Sequence, residues 1–86
     1  MTDKSYLVVR FERNGAVIGP RQAFMFDGAV QAHLAARQLA RNASGVAIVE
    51  RAFDPETGDD DETLIARIGA IPATFPDSAG WTMRLN

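Results

Sequence analysis

The stretch YLVVRFERNG, residues 6–15, decides the fold because it joins a strand pattern to a turn signal. Apolar side chains recur at every second position, which is the period of a β-strand. Asn14 and Gly15 follow, and this pair is favoured in a two-residue type I′ turn because both residues accept positive φ. We therefore expect a hairpin whose first strand spans 6–13 and whose second strand spans about 16–26.

The second strand of this hairpin, AVIGPRQAFMF, has a weaker pattern. Pro20 lacks the backbone N–H that a central strand donates, and Gly19 has no side chain to pack. We expect this strand at a sheet edge, with a break or bulge near 19–21.

The next segment, GAVQAHLAARQLARN, is rich in helix-forming residues and predicts a helix over 28–43. Asp27 is placed to cap the start of this helix, and Gly45 to take the left-handed conformation that ends one. Val30 and Leu34 form an apolar spot beside the polar side of the helix. A stripe of small side chains is expected to lie on the sheet: Ala29, Ala32, Ala36, Leu39, Ala40 and Ala43.

Two more strands are predicted at VAIVERAF (46–53) and TLIARIGAI (63–71), joined by an acidic turn. The element order predicts one α+β domain over 1–71, with ββαββ order and one helix on one face of a four-stranded, mainly antiparallel sheet. Residues 72–86 contain two prolines and a glycine, and they predict an irregular C-terminal tail that can dock on the sheet.

The core is expected between the helix and the strand face that carries Leu7, Val9 and Phe11, with one member of each adjacent pair allowed to face outward. The predicted core members are Leu7, Val9, Phe11, Phe24, Phe26, Ala32, Ala36, Leu39, Ala40, Ile48, Val49, Leu64, Ile65 and Ile68.

The composition is that of one small folded domain: 86 residues, 47% hydrophobic and 23% charged. The absence of cysteine excludes disulfides, zinc thiolate sites and thiol nucleophiles, and it favours the cytoplasm. The N-terminal residues lack the apolar run of a signal peptide, and no segment approaches a membrane span, so we expect no membrane contact. Abundant alanine and an excess of arginine over lysine are typical of a bacterial coding sequence rich in GC, and a surface that binds anions is the alternative explanation of the arginines.

The net charge of −2 conceals an uneven distribution. Residues 54–62 carry six of the eleven acidic side chains, which leaves five acids against nine bases in the rest of the chain, a balance of +4. An EF-hand loop counted from Asp54 fails, because glycine falls at the fifth position and isoleucine at the twelfth. We expect a mobile, solvated hairpin loop at 54–62 that discourages edge-to-edge association, and no specific metal site.

Catalytic motifs are absent from the sequence. His33 is the only histidine, and the glycines match neither the P-loop nor the dinucleotide-binding pattern. We therefore expect a protein that is not an enzyme and uses no cofactor. An enzyme built on His33 is the least favoured alternative.

The sequence favours a small protein–protein interaction module that binds itself or another protein. A sheet covered by one helix leaves a second face to be filled, and several apolar side chains have no assigned place in the core. Trp81 would either cover the open face or anchor a partner. The candidate interaction surface comprises Tyr6, Val8, Arg10, Val30, Leu34, Arg51, Arg67 and Trp81.

Two alternatives stay open at this point. In one, the tail closes the sheet of a plain monomer. In the other, the open face binds single-stranded nucleic acid: Tyr6 stacks on bases while Arg10, Arg51 and Arg67 contact phosphates. The sequence pI near 5.2 disfavours a dedicated nucleic-acid binder.

Overall fold

The computed structural model of the chain describes residues 3–73 and 75. The described residues form five elements in the order β1 (Asp3–Asn14), β2 (Val17–Phe26), α1 (Ala29–Leu39), β3 (Gly45–Phe53) and β4 (Asp60–Gly69). The strands make one antiparallel sheet in the order β2-β1-β3-β4, and α1 packs on one of its faces. The predicted fold class and ββαββ order are confirmed.

The first hairpin turns one residue later than predicted. Asn14 still pairs with Val17, so the two turn residues are Gly15 and Ala16. Gly15 has φ 66°, whereas no non-glycine residue in the described ranges has positive φ. Positive φ at the first turn residue alone is the pattern of a type II′ turn, so the predicted type I′ turn at Asn14 and Gly15 is wrong.

The predicted irregularity near 19–21 is confirmed as a β-bulge in β2. Arg10 pairs with Gln22 and Phe11 with Pro20, which leaves Arg21 as the extra residue. Pro20 has no backbone N–H to donate, so the pairing between β1 and β2 shifts at this position.

The helix is shorter than the predicted 28–43, and neither end is capped as expected. Gly28 occupies the N-cap position and no side chain caps the helix, so the role predicted for Asp27 is wrong. After Leu39 the chain leaves the helix in a tight turn, in which Asn42 N donates to the carbonyl of Leu39 at 3.1 Å. No helix in the described part of the chain is long and apolar enough to cross a membrane.

Gly45 does not cap the helix, which corrects a second prediction. It is the first residue of β3 and is buried. A Cβ atom at this position would collide with the carbonyl of Ala70, which follows β4. Glycine is therefore required here for the close approach of two chain segments.

The helix lies on the opposite face of the sheet from the one predicted. Ala32 and Ala36 pack against Val8, Val46 and Ile48, and all five side chains are buried. The side chains of β1 alternate between the two faces of the sheet as predicted. Residues 7–9 are all apolar, however, so both faces are apolar at this point. The period of the pattern therefore could not identify the face that the helix covers.

The other sheet face carries a second apolar cluster. Leu7, Val9 and Phe11 lie there beside Ala47 and Val49, all of them buried. Phe75, from the predicted tail, also belongs to this cluster. The sheet is thus the middle layer between two apolar clusters.

The predicted core list differs from the buried residues in both directions. Ile65 is 39% exposed, because it is the extra residue of a bulge in β4, where Ile48 pairs with Ala66 and Val49 with Leu64. Phe24 and Phe26 are only half-buried on the edge strand. The prediction omitted several residues that are buried: Val8, Ala23, Val46, Ala47 and Phe75.

Candidate interaction surfaces

The structure does not present Tyr6, Val8 and Arg10 as an open surface. They lie on the face of β1 that α1 covers, where Val8 is fully buried and Tyr6 is half-buried in the same apolar cluster. Arg10 is half-buried, and its Nε donates to Glu12 Oε1 at 2.7 Å. The predicted placement of these three residues on an uncovered face is wrong because the helix occupies that face.

Arg51 and Arg67 lie on the other face of the sheet. Arg51 pairs across strands with Ser5, and Arg67 with Ala47, which places both on the face that carries Leu7 and Val9. Tyr6 and Arg10 are therefore on a different face from Arg51 and Arg67. The single arginine surface assumed by the nucleic-acid alternative is not present.

The arginines of this second face are engaged in local contacts. Arg51 Nη2 lies 3.0 Å from Asp60 Oδ2, and Arg51 Nε lies 3.4 Å from Glu62 Oε2. Arg67 Nη2 donates to the carbonyl of Ile71 at 3.0 Å. Arg51 is thus held against the edge strand β4, and Arg67 against the segment that follows β4.

The helix contributes the exposed apolar spot that was predicted. Val30 is 74% exposed and Leu34 is 56% exposed. The Nδ1–H of the exposed His33 donates to the carbonyl of Ala29 at 2.8 Å, within the same helix. Trp81, the last member of the predicted surface, lies outside the described residues.

The acidic hairpin uses several of its polar groups internally. Asp54 Oδ1 accepts a hydrogen bond from Glu56 N at 2.9 Å, and the carbonyl of Asp54 accepts one from Gly58 N at 2.7 Å. Asp60 and Glu62 belong to β4 and not to the predicted loop. Within residues 3–73 and 75, no group of three or more acidic or histidine side chains is arranged to hold a metal ion.

A groove that the sequence reading missed lies between β2 and α1. It is lined by Phe24, Phe26, Ala35, Gln38 and Leu39, has a volume of about 370 Å³, and is here called the apolar groove. The adjacent part of β2, residues 22–26, is here called the edge segment. It is at the margin of the sheet, and the sequence signal for it was the run Phe24, Met25 and Phe26 on a strand predicted to be an edge.

The edge segment lacks the features that protect the other sheet margins. β4 carries acidic side chains at its start and a bulge at Ile65. The first half of β2 contains Pro20 and the bulge at Arg21. Charges, prolines and bulges are the usual devices that prevent edge strands from pairing. The edge segment contains no charged residue, proline or bulge.

Opposite charges flank the edge segment. Arg21 precedes it and Asp27 follows it, and both side chains are exposed. Among the described residues, neither side chain forms an ion pair or a hydrogen bond.

A second depression, here called the arginine cleft, lies beside the first hairpin and has a volume of about 590 Å³. Arg13 is anchored through its backbone, since its N–H donates to Ser44 Oγ at 3.0 Å. In the described ranges the side chains of Arg13 and Arg21 make no ion pair. The cleft is lined by Arg10, Glu12, Arg13, Asn14, Arg21 and Gln22.

Comparisons of the chain with protein-family models, with curated proteins and with solved structures found no match.

Proposed function

We propose that this protein is a protein–protein interaction module that pairs with a second copy of itself along the edge segment of β2. The observation that carries the proposal is the coincidence of an unprotected strand edge with an apolar groove directly beside it. Each feature alone is common, but together they provide both backbone and side-chain contacts for one partner.

Backbone pairing supplies the first part of the interaction. An edge strand presents outward N–H and C=O groups that can bond to a further strand, a recognised mode of protein association. Antiparallel pairing of two β2 strands would join the two four-stranded sheets into one continuous sheet. Both helices would then lie on the same side of that sheet, one on each side of the junction.

Apolar burial supplies the second part. Phe24 and Phe26 are only half-buried in the single chain, and Leu39 lines the same groove. In the paired arrangement the two grooves face each other across the junction. Removing these rings from water would stabilise the dimer by roughly 25 cal/mol for each Å² of apolar surface buried.

The charges at the ends of the edge segment favour a second copy as the partner. A symmetric antiparallel register centred on Phe24 sets Arg21 opposite Asp27 of the partner subunit, and symmetry repeats this pair. The same register sets Phe24 opposite its own counterpart, with no charged residue between the two ends. The surface is thus complementary to itself in both charge and apolar character.

Sedimentation velocity over a concentration series tests the proposal. We expect the unmodified protein to shift from monomer to dimer as its concentration rises. Phe24→Glu would place two carboxylates together at the symmetry axis, and we expect it to stay monomeric. Leu34→Glu makes the same charge change at an exposed apolar position on the helix, and we expect it to dimerise normally.

Three outcomes would contradict the proposal. The first is an unmodified protein that stays monomeric at the highest soluble concentration. The second is normal dimerisation of a folded Phe24→Glu variant. The third is loss of the dimer in Leu34→Glu alone, which would place the contact on the exposed side of the helix. Circular dichroism of each variant establishes that it is folded.

A further inference from the structure

The arginine cleft has a surplus of positive charge that the described residues do not neutralise. Three guanidinium groups and one carboxylate line it. Glu12 is already bonded to Arg10, and Arg10 Nη2 also lies 3.4 Å from the carbonyl of Asn42. The remaining positive charge is therefore that of Arg13 and Arg21, which belong to the neighbouring strands β1 and β2.

The polar groups of the cleft suit a phosphate. A guanidinium group donates two parallel hydrogen bonds to phosphate oxygens, and these charge-assisted bonds are stronger than neutral ones. Asn14 and Gln22 also line the cleft, and side-chain amides of this type can donate neutral hydrogen bonds. The volume of about 590 Å³ lies within the range of small-molecule sites.

We infer that the arginine cleft binds a small phosphorylated molecule through Arg13 and Arg21. We expect the ligand to be small because Arg10, Arg13 and Arg21 line a single depression. Arg51 and Arg67 are not among the described residues that line the cleft, and they are engaged locally with Asp60 and Ile71, so they do not extend it into a track for a nucleic-acid backbone. One chain forms the cleft, but Arg21 is also the residue that would face Asp27 of the partner subunit in the proposed dimer, so the test is built on Arg13.

Titration with inorganic pyrophosphate, followed by amide chemical shifts and calorimetry, tests the inference. We expect saturable binding with the largest shifts at the residues of the cleft. Arg13→Gln should weaken the affinity about tenfold, because it removes a charge-assisted contact. Arg13 is suitable because it lies on the interior strand β1, away from the edge segment.

Arg37→Gln is the matched control. Arg37 is exposed on α1, makes no ion pair with any described residue, and carries the same charge. We expect this variant to keep the affinity for pyrophosphate within about twofold, since Arg37 does not line the cleft and salt screens exposed charges. Sedimentation of both variants shows whether either substitution acts through the oligomeric state.

The inference would be overturned by any of three results. The first is the absence of saturable pyrophosphate binding. The second is an equal loss of pyrophosphate affinity in Arg13→Gln and Arg37→Gln. The third is a single-stranded oligonucleotide that binds more tightly than pyrophosphate and whose binding is lost in Arg13→Gln. Equal weakening would mean that only general charge attraction acts. The oligonucleotide result would assign the cleft to nucleic acid.

Discussion

The ring of Phe75 packs edge-on against the ring of Phe11, with centroids 4.9 Å apart and planes inclined at 86°. Phe75 is 4% exposed and Phe11 is fully buried. A turn in which Phe75 N donates to the carbonyl of Pro72 at 3.1 Å precedes this contact. Phe75 thus contributes to the apolar cluster on the sheet face opposite the helix.

Phe75→Ala should lower the free energy of unfolding by about 3 kcal/mol or more. The substitution removes a buried ring and its edge-on contact with Phe11. Phe75→Leu is the control, since it keeps most of the apolar volume and should cost less than about 1.5 kcal/mol. Urea denaturation measures both variants. A loss below about 0.5 kcal/mol for Phe75→Ala would show that this ring does not support the cluster.

Gly69→Ala should be more destabilising than Gly58→Ala. Both glycines have positive φ, 75° and 79°, so each substitution carries a backbone cost of about 1 kcal/mol. A Cβ at Gly58 meets nothing within 4 Å, whereas a Cβ at Gly69 would lie 2.6 Å from the carbonyl oxygen of Ser44. Urea denaturation should show the difference, and equal costs would contradict the close packing at Gly69.

A charge-reversal pair tests the register of the proposed dimer without disturbing the core. Asp27→Arg would set like charges opposite each other at both ends of the junction, and we expect dimer affinity to fall about tenfold. Adding Arg21→Asp to the same chain restores opposite charges and should restore the affinity. Sedimentation equilibrium measures all three proteins. A double variant that dimerises no better than Asp27→Arg would refute this register.

The elements that the sequence predicted correctly are those specified by local chemistry. The alternation in β1, the helix-forming run of α1 and the effect of Pro20 on β2 each depend on residues close together in the chain. Turn and cap positions were less reliable. Asn14 pairs with Val17, so the turn lies one residue later than predicted. Gly28, and not Asp27, is the N-cap residue, and no side chain caps the helix.

The features that the sequence did not predict depend on contacts between distant segments. Val8 lies between two other apolar residues, so alternation alone left the choice of helix-covered face open. Phe75 joins Phe11 across more than sixty positions, with no local signal for the contact. The apolar groove forms because α1 places Leu39 beside Phe24. The arginine cleft forms because the first hairpin brings Arg13 and Arg21 to the same depression.

Cross-linking through a single introduced thiol tests the proposed dimer most directly. The chain has no cysteine, so Phe24→Cys provides one thiol per chain. In the register centred on Phe24, the two positions face each other with Cβ atoms about 5 Å apart. We therefore predict a covalent dimer on treatment with a short bifunctional cross-linker that reacts with one thiol of each chain. Leu34→Cys, on the exposed side of the helix, should remain monomeric under the same conditions. Efficient cross-linking of Leu34→Cys with none for Phe24→Cys, or none for either variant, would contradict the account.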